Sequence, residues 1–208
     1  MSVDATTPEV TADHGHHTSL GVSNNKLAMW AFLGSECLFF GALIATYLIY
    51  LNARADAPGP EIFDIPFTSV STFILLMSSL GMVLALAAIQ RGDMRRFRVW
   101  MIATALMGAT FIAGQMYEYT VFFAEGAILP ASPLWSSFFL LTGFHGVHVT
   151  VGILMLVAAW VASMSGRLTP AHEETVENIG LYWHFVDIVW ILLFTVVYLI
   201  PADLAAAG

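Results

Sequence analysis

Charged side chains are scarce in this sequence. They form 11% of its 208 residues, against roughly 25% in an ordinary water-soluble domain, which is too few to cover a water-facing surface. Basic residues are scarcer still. Seven Lys and Arg stand against 15 Asp and Glu, a formal net charge of −8, and that balance argues against a nucleic-acid partner, which needs clustered Lys and Arg. The single cysteine, Cys37, rules out a disulfide framework or a Cys-built metal centre within the chain. Internal repeats are lacking. The opening 26 residues are polar, acidic and His-bearing. They lack the apolar stretch of a secretory signal and the apolar content to pack, so they read as a tail. Within it, His14, His16 and His17 read as solvated side chains, with weak metal binding as the alternative.

Apolar residues are what the chain has in abundance, at 58%. Crossing ~30 Å of hydrocarbon takes about 20 helical residues, and a helix satisfies its own backbone within one such segment. Five stretches qualify, at 27–51, 67–90, 97–123, 134–164 and 180–200. Turn chemistry separates them: Ala57-Pro58-Gly59-Pro60, Arg91-Gly92-Asp93, Pro130 with Pro133, and Pro170, while Pro201 stops the last. The sequence therefore predicts an all-α fold, an integral membrane bundle of five transmembrane helices over 27–201. A polar tail (1–26) precedes it and a short tail (202–208) follows. Lys26, Arg91, Arg95, Arg96, Arg98 and Arg167 fall on one side of the membrane. Only Arg54 falls on the other, in a loop with Asp56, Glu61 and Asp64. This asymmetry predicts a cytoplasmic N-terminus and an outer C-terminus.

Few ionisable residues interrupt the spans: Glu36, Glu118, His145, His148, His184 and Asp187. Each costs at least ~2.5–3.5 kcal/mol near the bilayer centre unless it faces protein or water. At 1.5 Å per residue, Glu36 lies ~13 Å along the first span, Asp187 ~10 Å along the fifth, and His148 ~21 Å along the fourth, which runs the other way. Glu36, His148, His184 and Asp187 are thus expected in one layer, as a buried hydrogen-bonded cluster. His145 and His148 share a helix face, as do His184 and Asp187. Trp183, Asp187 and Trp190 form an overlapping stripe, and Gly143 and Gly146 allow close helix approach beside His145. Glu118 sits near the outer end with Tyr117 and Tyr119 in the aromatic belt, where an interfacial carboxyl bonded to a neighbouring helix or to water is the simplest reading. Two His and two carboxylates could also hold Zn, Fe or Mn. A haem would need an axial His in an open pocket, and opposed His pairs are missing. The reading we carry forward is polar ties between helices; a proton path through Glu36 is a further alternative, though no chain of acids links the two faces.

Four motifs, in order, resemble subunit III of the haem-copper terminal oxidases. They are Ser35-Glu36-Cys37-Leu38-Phe39-Phe40, then Gly114-Gln115-Met116-Tyr117-Glu118-Tyr119. The longest runs from Phe138 through Thr142-Gly143-Phe144-His145-Gly146-Val147-His148 to Val149. The last is Tyr182-Trp183-His184-Phe185-Val186-Asp187-Ile188-Val189-Trp190. The resemblance covers almost all of 26–201 and implies an accessory subunit of a proton-pumping oxygen reductase in a bacterial plasma membrane. It implies no catalytic residue, metal or other cofactor in this chain. Haems and copper belong to partner subunits I and II, with subunit I a direct contact, subunit IV a further candidate partner, and phospholipid bound. Glu36 matches the family's carbodiimide-reactive glutamate. The chain lacks the two N-terminal helices of the seven-helix form and so resembles the five-helix bacterial form. Ser35-Glu36 favours a cytochrome c oxidase, whereas the His-bearing tail and Glu-Ile-Phe-Asp-Ile-Pro at 61–66 resemble bo-type quinol oxidases. An independent ion or proton transporter is the competing class; it predicts inverted repeats or broken spans, and the sequence has neither.

Overall fold

A computed structural model describes residues 23–51 and 62–200. The tail expected over 1–26, apart from its last four residues, lies outside the described residues. So do the tail at 202–208, the His14, His16 and His17 group, Arg54, the Pro58–Pro60 turn and Pro201.

Five long helices follow one another: α1 (Asn24–Leu51), α2 (Ile65–Gln90), α3 (Met94–Ala124), α4 (Pro133–Met164) and α5 (Glu173–Phe194), the last continued by a wider π-type turn over Thr195–Leu199. Among the described residues these five are long and apolar enough to cross a membrane. Each begins earlier than its apolar residues alone predict, by one residue at Pro133 and by seven at Glu173. The cause is capping. Asp64, Asp93 and Ser132 accept the backbone N–H groups of Phe67, Arg96 and Trp135 at 3.1, 3.0 and 3.2 Å, which satisfies donors that have no partner within the helix. Ser23 does the same for Lys26 at 3.2 Å, and α5 opens on Glu173 and Glu174, acids at the positive end of the helix dipole. Polar first turns thus extend the helices beyond the hydrocarbon-length core.

The tight α2–α3 reversal depends on Gly92, at φ +74°. Its N–H bonds Ile89 O and the next N–H bonds Ala88 O, both at 2.9 Å, closing α2 through a left-handed residue. The two helices consequently pack side by side. In the bundle α2 also lies against α5, α3 against α4, and α4 against α5; the principal neighbours of α1 are α4 and α5. Only 11% of the apolar window of α1 is buried, against 44% for α2 and for the fifth span, so α1 is the outermost helix.

Trp183 of α5 is fully buried where α3, α4 and α5 meet. Bare backbone makes room for it: a Cβ added to Gly108 would stand 2.5 Å from Trp183 Cη2, and one on Gly152 2.7 Å from Cε3. Gly108→Ala and Gly152→Ala should therefore each cost about 1–3 kcal/mol through overpacking. Gly34→Ala and Gly41→Ala on α1, where an added Cβ meets nothing within 4 Å, should lose nothing. Reversible unfolding in mixed micelles compares the two sets, and equal stabilities would refute this account of the core.

Candidate functional site

Hydrocarbon offers no hydrogen bond, so a polar side chain on a span finds its partner on another helix or stays unsatisfied. On α5 the stripe Trp183, Asp187, Trp190 turns towards α2, and α2 answers with hydroxyls. Trp183 Nε1 donates to Ser78 Oγ and Trp190 Nε1 to Thr72 Oγ1, each at 2.9 Å. Between them the Ser79 hydroxyl bonds Asp187 Oδ2 and meets His184 Nδ1 at 2.8 Å. Farther along, Thr68 bonds the buried Glu118 carboxyl of α3, which Tyr198, beyond α5, also reaches. From Ser78 and Ser79, opposite Trp183 to Asp187, the contacts descend α2 to Thr72 opposite Trp190, as antiparallel neighbours require. One serine hydrogen cannot serve two acceptors. With His184 Nδ1–H donating to Ser79 Oγ and Ser79 donating to Asp187, all three groups are served. Asp187 Oδ1 keeps no partner among the described residues.

A second polar contact joins α1 to α4. Glu36 Oε2 lies 3.2 Å from His148 Nε2, with side chains 17% and 16% exposed. The approach is ion-pair range without hydrogen-bond alignment. His148 Nδ1 stands 2.7 Å from Phe144 O; a carbonyl only accepts, so Nδ1 carries a hydrogen and Nε2 is the atom offered to Glu36. Phe40 packs edge-on against the His148 ring at 5.0 Å, and Tyr182 of α5 donates to His148 O at 3.0 Å.

The four residues expected in one layer are thus placed as two pairs: Glu36 with His148 on α1 and α4, and His184 with Asp187 through Ser79 on α5 and α2. No hydrogen bond joins the pairs among the described residues. His145, three residues from His148, is fully buried and stacks on Trp190 at 4.9 Å with Phe111 edge-on at 6.0 Å; neither ring nitrogen has a hydrogen-bond partner there. Glu118 bonds neighbouring helices rather than joining either pair. Among the described residues, no three of His, Cys, Asp and Glu come together as a metal-ligand group.

Sequence reasoning passed over Thr68, Thr72, Ser78 and Ser79. Their signal was present: Thr68, Thr72 and Ser79 recur at intervals of four and seven on one helix face. At the basic end of the bundle, Lys26 Nζ pairs with Glu177 Oε1 at 2.5 Å and Ser23 bonds Glu174, fastening α1 to α5. Arg98 likewise donates to Ser163 O at 2.6 Å and Ser163 Oγ at 3.2 Å, fastening α3 to α4.

The family described as cytochrome c oxidase subunit III matches residues 6–201. Quinol oxidase subunit 3 of Bacillus subtilis is 39% identical over 176 residues, 84% of this chain and 86% of the relative. Cytochrome bo(3) ubiquinol oxidase subunit 3 of Pseudomonas aeruginosa is 38% identical over 196 residues, 93% of each chain. Probable cytochrome c oxidase subunit 3 of Mycobacterium tuberculosis is 40% identical over 174 residues, 81% of this chain and 84% of the relative.

If the hydroxyl–indole bonds tie α2 to α5, double-mutant cycles for Ser78→Ala with Trp183→Phe, and for Thr72→Val with Trp190→Phe, should each give a coupling of about 0.6–1.7 kcal/mol. Additive losses in both cycles would show that the bonds contribute nothing specific.

Proposed function

The chain belongs to the cytochrome c oxidase subunit III family, and from that premise we propose that it is a non-catalytic flank of a haem-copper oxygen reductase. In this reading it packs against subunit I, with haems and copper held by subunits I and II, and supports proton uptake without electron chemistry of its own. The observation that carries the reading is the use made of the buried polar groups. Glu118 and Asp187 are engaged by hydroxyls on another helix, both buried tryptophans of the α5 stripe donate to α2, and Glu36 faces His148. Such ties suit a subunit whose work is helix packing. The exposed apolar side chains of α1, such as Leu38 at 78% and Ile49 at 71%, suit a surface covered by a partner helix and phospholipid.

Six basic residues on one side against Arg54 on the other support a cytoplasmic N-terminus and an outer C-terminus. Bacterial relatives support the plasma membrane as the location. Ser35-Glu36 supports cytochrome c as the electron donor of the complex. The match spanning 93% of both chains to a bo(3) ubiquinol oxidase subunit supports quinol as the second reading. Glu36, His148, His184 and Asp187 serve in this proposal as internal ties, together with Glu118, His145, Trp183 and Trp190.

Affinity purification of the tagged chain from native membranes should bring down haem- and copper-bearing subunits, while the chain stripped from them shows no visible absorbance. A chain that purifies alone and conducts ions in proteoliposomes would end the proposal. The copper-ligand set of the co-purified subunit II, present or absent, decides between cytochrome c and quinol. For orientation, Glu125→Cys in a Cys37→Ser chain should react with an impermeant maleimide on intact cells. Arg91→Cys should react only after permeabilisation, and the reverse pattern would invert the topology.

A further inference from the structure

Between α3 and α4 a membrane-facing groove of about 280 Å³ is lined by Ile112, Gln115 and Tyr119 on one side and by Gly143, Gly146 and Val147 on the other. Its walls are apolar apart from a short polar network, and that network has one open valence. Gln115 is buried. Its Nε2 donates one hydrogen to Thr142 O at 2.8 Å and the other to Tyr119 Oη at 3.1 Å. A backbone carbonyl only accepts, so the nitrogen is the atom beside Thr142 and the oxygen is the atom over Gly146. There a Cβ would stand 2.8 Å from Oε1. Thr142 spends its hydrogen on Phe138 O at 2.8 Å. The contact between Tyr119 Oη and Thr142 Oγ1, at 2.7 Å, therefore uses the tyrosine hydrogen. Every donor is committed, whereas Gln115 Oε1 accepts from no other group among the described residues. An amide oxygen without a donor is costly away from water, and this one lines a groove that opens on the apolar outer surface of the bundle.

Gln115 stands nine residues, about 14 Å of helix, before the end of α3 at Ala124. Tyr119, in the aromatic belt, stands only one turn farther out; a phospholipid seated there would meet both redox forms of a ring alike, and its acyl chain has no hydrogen to give. We propose that this groove binds a hydroquinone dissolved in the bilayer: the ring lies over Gly143 and Gly146, and one hydroxyl donates to Gln115 Oε1. The groove then selects by redox state. A hydroquinone offers O–H donors, whereas its quinone offers only carbonyl acceptors, which would oppose Oε1. The proposal concerns binding alone and goes beyond the accessory role. A complex that co-purifies in full but shows no such labelling defeats the groove and leaves that role standing.

The test uses the intact complex and a diazirine-bearing hydroquinone, with the same probe in its oxidised form. The reduced probe should label peptides from 112–119 and 143–151 about fivefold more than the oxidised one, the difference of one neutral hydrogen bond. Gln115→Met should lower labelling by the reduced probe to the oxidised level. Val147→Trp, placed at an exposed rim position, should fill the groove and suppress labelling without touching the Gln115 bonds. Equal labelling by the two forms, as an acyl-chain groove would give, overturns the proposal; so does label elsewhere in the chain, or label that persists in Val147→Trp. Should the Gln115→Met complex fail to assemble, the reduced-to-oxidised ratio on the unaltered chain and the Val147→Trp result decide.

Discussion

An indole N–H or a carboxyl carried into hydrocarbon has no water to turn to, and the bundle is arranged around that constraint. The α5 stripe brings two indoles and Asp187 into the interior, and among the described residues α2 supplies the hydroxyls that meet them. Because hydroxyl and indole must meet within about 3 Å, the ladder fixes the axial register of α2 on α5 more tightly than apolar packing could. In lipid, apolar surfaces gain little from one another, so packing fit and hydrogen bonds set the arrangement. The Trp183 ring then demands glycine on both opposing helices, Gly108 and Gly152. One side chain thereby positions α3 and α4 as well.

Against that inner set α1 is attached differently. Its ties include the Lys26–Glu177 and Ser23–Glu174 bonds at the basic end, the Glu36–His148 approach within the membrane, the Phe39 and Phe40 rings packed around His148, and the Tyr47 hydroxyl, which donates to Val197 O beyond α5. Leu33, Phe40, Tyr47 and Leu51 form its buried stripe, and most of the remaining helix surface is exposed. A helix so placed is the natural border of a subunit that completes its packing against other chains, which agrees with the family to which this one belongs.

The fold was legible in the sequence because its strongest signal, uninterrupted apolar length, is also its strongest physical constraint. The largest differences in the spans lie at helix starts, where Asp64, Asp93, Ser132 and the acids of α5 continue the helix in polar residues that an apolar criterion ignores. Within the site, the spacing of His184 and Asp187 on one face was readable, and so was the stripe they share with the tryptophans. Depth estimates could not tell one layer from two pairs. They give height in the membrane but not azimuth, and Glu36 and Asp187 reach different neighbours at similar heights. The α2 hydroxyls escaped notice for another reason. Serine and threonine are cheap to bury in a helix, since they can bond their own backbone, as Thr72 does to Thr68 O, so nothing in composition marks them as partners.

The contact of Glu36 with His148 joins residues 112 positions apart in a chain made from its N-terminus. At about 5–20 residues per second, α1 enters the membrane on the order of ten seconds before α4 can follow. Throughout that interval the carboxyl of the first helix is an orphan in lipid, held by the insertion machinery, by water drawn in from the interface, or by a subunit already in place. Assembly order is therefore written into this chain: the helix born first is the last to find its companions.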